Sequence, residues 1–167
     1  MKDKLLTSFN ALSKDEQTIM LVLSVIFAPI GQSNLQALLK TLACFDIKKL
    51  AVLDKPLREK LLKTNLIVVM PDGWRCNEDF AEYLMRLATE EVWFNKLAQF
   101  LIAQPGYYYP ARTEVFHAIK QLRIFLYQGN DTAFAANIER FYSDYPQTFS
   151  LYINKIFFKD YCVEWFT

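Results

Sequence analysis

Polar and apolar positions along the chain alternate in blocks of helical period, interrupted once by a short extended stretch. Ser13-Lys-Asp-Glu16 has the form of a capping box and predicts a helix starting near Lys14. The run that follows, IMLVLSVIFA, is apolar nearly all round, so this helix belongs at the centre of a core. Pro29 and Gly31 end it. Ser33-Asn-Leu-Gln36 reads as a second capping box, and Leu35, Leu38, Leu39 and Leu42 give the next helix one apolar face. Pro56 suits the first turn of a third helix, PLREKLLKTN, whose Leu57 and Leu61 point inward. An apolar strand, Leu66–Met70, then meets the tight-turn signal Asp72-Gly73, a second short strand and a new helix opened by Asn77.

After residue 88 every segment reads as helix. Glu90 to Ala103 carries Val92, Phe94, Leu97, Leu101 and Ile102. The loop QPGYYYP leads to a helix over Ala111–Tyr127, where Val115, Ile119, Leu122 and Leu126 predict one buried stripe. Gly129 fits just past that helix, and Asn130 or Asp131 can cap the next, which runs to about Tyr142. A last aromatic-rich helix spans Gln147 to Lys159. The fold expected is mainly α: a winged-helix-like domain with one small β-hairpin at 1–88, then a helical-hairpin array at 89–167 packed on it. No internal repeat of fixed period is present.

Composition sharpens this division. Of 26 Phe, Trp and Tyr residues, 20 follow Ala88, and charge is uneven too, which places a soft boundary near residue 89. Net charge is +1, so the whole molecule exerts no strong field toward nucleic acid or a membrane. The longest apolar run, Ile19–Ile30, is broken by Ser24 and Pro29 and is too short to span a bilayer. The opening MKDKLLTSFN lacks the apolar segment of a signal peptide. Cys44, Cys76 and Cys162 are odd in number and widely spaced, which points to free thiols in a reducing compartment, the cytoplasm.

Motifs for catalysis are missing. Four isolated glycines build neither a P-loop nor a dinucleotide fingerprint. One histidine and three scattered cysteines supply no metal site, and no cofactor is implied. His117 has polar neighbours and reads as a surface or capping residue. The pairs Asp15-Glu16, Glu78-Asp79 and Glu90-Glu91 sit at or near helix starts, where the helix dipole favours negative charge. No GxSxG supports a hydrolase nucleophile. The chain is therefore expected to be non-catalytic.

Recognition fits better. Lys48, Lys49, Lys55, Arg58, Lys60 and Lys63 face only Asp54 and Glu59 in the same stretch, and the third helix is the one that enters a major groove in a winged-helix protein. With Arg75 of the hairpin, Lys55, Arg58, Lys60 and Lys63 are the candidate nucleic-acid contacts. Asp72 at the hairpin tip and a Glu59–Lys63 pair argue the other way. The competing surface is aromatic: Tyr107, Tyr108 and Tyr109 in their Pro/Gly loop, and Trp165 and Phe166 at the end of the chain, suit a protein interface. A chain ending on such aromatics also predicts a piece of a longer protein.

GWRCNEDFAEYLMRLA, WFNKLAQFL, QLRIFLYQGND and the closing EWF, behind a winged-helix-like start, resemble in their order the N-terminal region of large bacterial Swi/Snf-family helicases. The resemblance covers most of the chain. It implies a non-catalytic accessory domain of a DNA-acting ATPase whose motor lies downstream. Its expected partners are duplex DNA, RNA polymerase or another protein, and the rest of the parent chain. The alternatives are a protein–protein adaptor and a small winged-helix transcription regulator.

Overall fold

The computed structural model describes residues 2–43, 54–103 and 114–157. Among these the chain forms nine helices and one two-stranded antiparallel hairpin. Helix α1 (Lys2–Asn10) precedes α2 (Lys14–Ile26), α3 (Gln32–Ala43) and α4 (Lys55–Lys63). The hairpin is β1 (Ile67–Met70) and β2 (Gly73–Cys76), and it leads into α5 (Glu78–Thr89). The rest is α6 (Phe94–Ala103), α7 (Glu114–Tyr127), α8 (Asp131–Asp144) and α9 (Pro146–Phe157).

Local chemistry accounts for the starts of α2, α4, α5 and α8. Ser13 and Glu16 form the expected capping box, with Glu16 accepting the Ser13 N–H at 2.8 Å. Asp54 accepts the Leu57 N–H at 2.9 Å with Pro56 in the first turn, so α4 begins on two signals at once. Asn77 and Asn130 cap α5 and α8 in the same way. The second capping box does not form. Leu35 N–H bonds the Gly31 carbonyl at 2.9 Å, so α3 has already begun at Gln32 and Ser33 lies inside its first turn.

Every residue of α2 from Ile19 to Ile26 is buried, as its all-round apolarity requires. Helix α5 packs across it, and α7 and β2 close two further sides. One continuous core runs from Leu5 of α1 to Phe141 of α8, crossing residues 88 and 89 without a break. Helix α1 was not anticipated, although its Leu5 and Phe9 bury one stripe at a spacing of four.

The hairpin register pairs Met70 with Gly73 and Ile67 with Cys76, leaving Pro71 and Asp72 as the two-residue loop. On its far side β2 meets a third extended residue. Ile30, between α2 and α3, exchanges two backbone hydrogen bonds of 2.9 Å with Trp74. A Cβ at residue 73 would run into the Ile30 carbonyl, and Gly73 sits at φ +138°, so this close approach requires glycine.

Two expectations in the second half need correction. Helix α6 starts at Phe94, because Glu90, Glu91 and Phe94 donate to carbonyls three residues back and tighten the chain into a turn. Val92 is consequently 89% exposed. The buried face of α7 is also rotated: Ile119, Lys120, Leu122, Arg123 and Ile124 are buried, whereas Leu126 is 37% exposed. Two cations occupy positions that a hydrophobic pattern assigns to solvent.

Candidate recognition surface

Leu57 and Leu61 anchor α4 to the core, and that orientation decides what it shows outside. Lys55, Glu59, Lys60 and Lys63 are exposed, and Arg58 is half-buried. These side chains are largely committed to partners within the chain. Lys55 Nζ lies 3.9 Å from Glu59, so Glu59 pairs with the lysine four residues before it rather than with Lys63, four after. Lys60 Nζ donates to both carboxylate oxygens of Glu16, at 2.9 and 3.1 Å. That bond from Lys60 is the main reason the Glu16 carboxyl is held below the usual range, against a smaller opposing effect of burial. Arg58 donates to the Gln32 side chain at the start of α3 and lies over the Trp74 ring at 5.3 Å. Lys63 is exposed at the last turn and makes no ion pair among the described residues.

Where the first turns of α2 and α4 meet there is an open groove of about 330 Å³, lined by Ser13, Asp15, Glu16, Asp54, Pro56, Leu57 and Lys60. Asp15, Glu16 and Asp54 all sit at helix starts, where their charge stabilises the helix. Glu78 and Asp79 occupy the first turn of α5 likewise.

Of the candidate contacts on α4 and the hairpin, Arg75 is the one turned away from solvent. It is 4% exposed, ion-paired with Glu78, and flanked by the rings of Phe27 and Phe116 at 5.2 and 5.0 Å. The hairpin turns its one cation inward because the aromatic end of α2 and the first half of α7 provide a stacking surface there. Lys55, Arg58, Lys60 and Lys63 do share one helix, with Arg58 drawn back toward Trp74. Tyr107, Tyr108, Tyr109, Trp165 and Phe166, together with Lys48 and Lys49, lie outside the described residues.

Sequence reasoning missed the polar centre of the molecule. Arg123 is fully buried and donates to Glu82 Oε1 at 2.7 Å, the Ser24 carbonyl at 2.6 Å and the Ala81 carbonyl at 3.4 Å. Its guanidinium also stacks on Phe27 at 4.3 Å, and Tyr127 Oη donates to Glu82 Oε2 at 3.0 Å. Phe27 ends α2 at φ +58°, a conformation rare for a residue with a Cβ, and is held there between two guanidiniums. The available signal was Arg123 standing next to Leu122 on a strongly apolar helix, which periodicity alone scores as solvent-facing.

The remaining titratable groups are structural in their surroundings. Burial pushes the Cys76 thiol up to about 12, which disfavours a reactive thiolate. Burial pushes Lys120 down to about 8, and its Nζ donates to the Leu101 carbonyl at 3.3 Å near the end of α6. His117 Nδ1 lies 3.2 Å from Lys120 Nζ. Burial first, and the Lys120 charge second, push His117 down to about 4, so the half-buried imidazole is neutral rather than a charged surface group. Among the described residues no group of three or more His, Cys, Asp or Glu is arranged to hold a metal ion, and no helix is long and apolar enough to cross a membrane.

Comparison with protein-family models, with curated proteins and with solved structures finds no match to this chain.

Proposed function

We propose that this chain is a non-catalytic recognition module of winged-helix topology, serving a larger DNA-acting ATPase of the Swi/Snf type. The observation that carries the reading is the order α2, Ile30, α3, α4, β1, β2, with Ile30 pairing to β2 on the side away from β1. That arrangement supports α4 as the helix offered to a groove and the β1–β2 hairpin as the wing beside it. Lys55, Lys60 and Lys63 are the phosphate contacts of this reading. Duplex DNA affinity of the full chain should fall with added salt. In a Lys60→Ala/Lys63→Ala variant it should fall further, with the log–log salt slope shallower by about 2. Binding that ignores salt, or that survives both substitutions unchanged, sinks the DNA assignment.

A second reading, a protein–protein adaptor, is favoured by one specific observation. Lys55, Arg58 and Lys60 already hold Glu59, Gln32 and Glu16, which leaves a mixed-charge surface better suited to a protein such as RNA polymerase than to a row of phosphates. Capture of purified RNA polymerase by the full chain in nuclease-treated buffer, lost on Lys60→Glu, separates this reading from the first.

A further inference from the structure

Helix α2 stops in a strained turn. Phe27 has φ +58° and ψ −36°, and the Ala28 N–H donates to the Ile26 carbonyl at 2.6 Å. Phe27 is therefore the centre of a three-residue turn of the rare positive-φ class. A residue with a Cβ keeps such a backbone only where its surroundings over-determine it. Two separate restraints do so here. Three residues on, Ile30 is tied to Trp74 by two backbone hydrogen bonds of 2.9 Å, which fix where the chain goes after the turn. The ring is fixed independently: it lies between the guanidiniums of Arg75 at 5.2 Å and Arg123 at 4.3 Å, and it tilts against Phe116 at 6.3 Å.

These restraints come from different parts of the molecule. Trp74 and Arg75 are neighbours on β2, and Arg58 of α4 lies over the Trp74 ring. Phe116 and Arg123 belong to α7, on which α8 packs. Helix α5 anchors the two guanidiniums one turn apart, Arg75 on Glu78 and Arg123 on Glu82. The hairpin edge thus sets the backbone of Phe27, while its ring touches cations from the hairpin and from α7. If β2 shifts and the Ile30 bridge loosens, the turn is free to return to negative φ. Its ring then leaves the two guanidiniums, because the side chain turns with the backbone.

We propose that the Phe27 turn is a conformational relay, which passes a displacement of the hairpin to α7 by releasing Phe27 from Arg75 and Arg123. The relay has a clamped and a released position. Backbone strain favours release, and stacking of the two cations with the Ile30 bridge favours the clamp. A partner seated on the α4–hairpin face would act on the helices from α7 onward by this route, whatever its chemistry.

The test is hydrogen–deuterium exchange of the full chain, read by mass spectrometry in four forms: wild type, Gly73→Ala, Phe27→Leu and the double variant. Gly73→Ala pushes on the Ile30 carbonyl and so loosens the bridge. Phe27→Leu keeps an apolar side chain and removes the ring that the cations hold. In Gly73→Ala, amides of α7 should exchange at least about fivefold faster than any change seen in α1, together with those of the hairpin. In the Phe27→Leu background the hairpin should still respond to Gly73→Ala, and α7 should change no more than α1. An α7 response no larger than that of α1 in the first comparison, or one of equal size in both backgrounds, overturns the relay and leaves Phe27 a packing residue. Should Gly73→Ala or Phe27→Leu fail to fold, Arg58→Met and Phe116→Leu act at the two ends of the same route and carry the same two outcomes.

Discussion

Arg123 should be the most costly single residue to replace outside the purely apolar core. Substitution by methionine keeps much of the volume and removes every polar contact. The Glu82 side chain, 17% exposed, would then keep only its bond from Tyr127 among the described residues, and the Ser24 carbonyl would lose its 2.6 Å donor. Breaking a buried ion pair by removing one partner costs about 3–5 kcal/mol, because a charge is left in poorly solvating surroundings. Against a total stability of about 5–15 kcal/mol, that is a large fraction. Urea unfolding followed by far-ultraviolet circular dichroism should show the midpoint of Arg123→Met falling sharply at constant slope. The double variant Arg123→Met/Glu82→Gln should recover part of the loss, with a coupling of roughly 1–3 kcal/mol, since the stranded charge is gone. A loss below about 1 kcal/mol, or strictly additive single variants, would refute the argument that this pair joins α7 to α2 and α5.

Gly73→Ala should destabilise by about 1–3 kcal/mol, because the new methyl meets the Ile30 carbonyl at a backbone angle that disfavours any Cβ. Urea titration reads the loss, and an unchanged midpoint would mean that Ile30 does not hold the strand edge. Stability should depend on pH above neutrality with two opposing signs: Lys120 gives up its proton in the folded chain at about 8 but in the unfolded chain near 10.5, so stability rises through that window by up to about 1.4 kcal/mol per pH unit. Cys76 acts oppositely, its thiol ionising near 9 when unfolded and near 12 when folded, so stability falls across that interval. Urea midpoints measured from pH 7 upward should therefore lose their first rise in Lys120→Met and their later fall in Cys76→Ala; profiles that superimpose on the wild type would contradict both assignments.

The elements were legible wherever a signal acts over a few residues. The capping box at Ser13, proline in the first turn of α4 and the asparagine caps at Asn77 and Asn130 act on backbone groups nearby, and the turn signal Asp72-Gly73 marked the hairpin although the loop itself is Pro71-Asp72, one residue earlier. The candidate surface was legible only as a set of lysines on one helix. Its electrostatic character was not, because, apart from the local Lys55–Glu59 pair, the partners that quench it are remote: Glu16 lies 44 residues from Lys60, and Gln32 lies 26 from Arg58.

By itself the chain's sequence determined a mainly helical protein with one hairpin, an all-round buried second helix, and a glycine where the hairpin turns. Those outcomes follow from solvation and backbone hydrogen bonding counted residue by residue. Tertiary structure alone decided which charges face water. Arg75, Lys120 and Arg123 went inside because Glu78, a helix-end carbonyl and Glu82 with Ser24 were waiting there, and a buried cation is stable only where such partners converge. Lys55 and Lys63 stayed outside for the opposite reason, since Leu57 and Leu61 took the inner face of α4. A cation's place is set by groups that only folding brings within about 3 Å of it, and no local pattern records them.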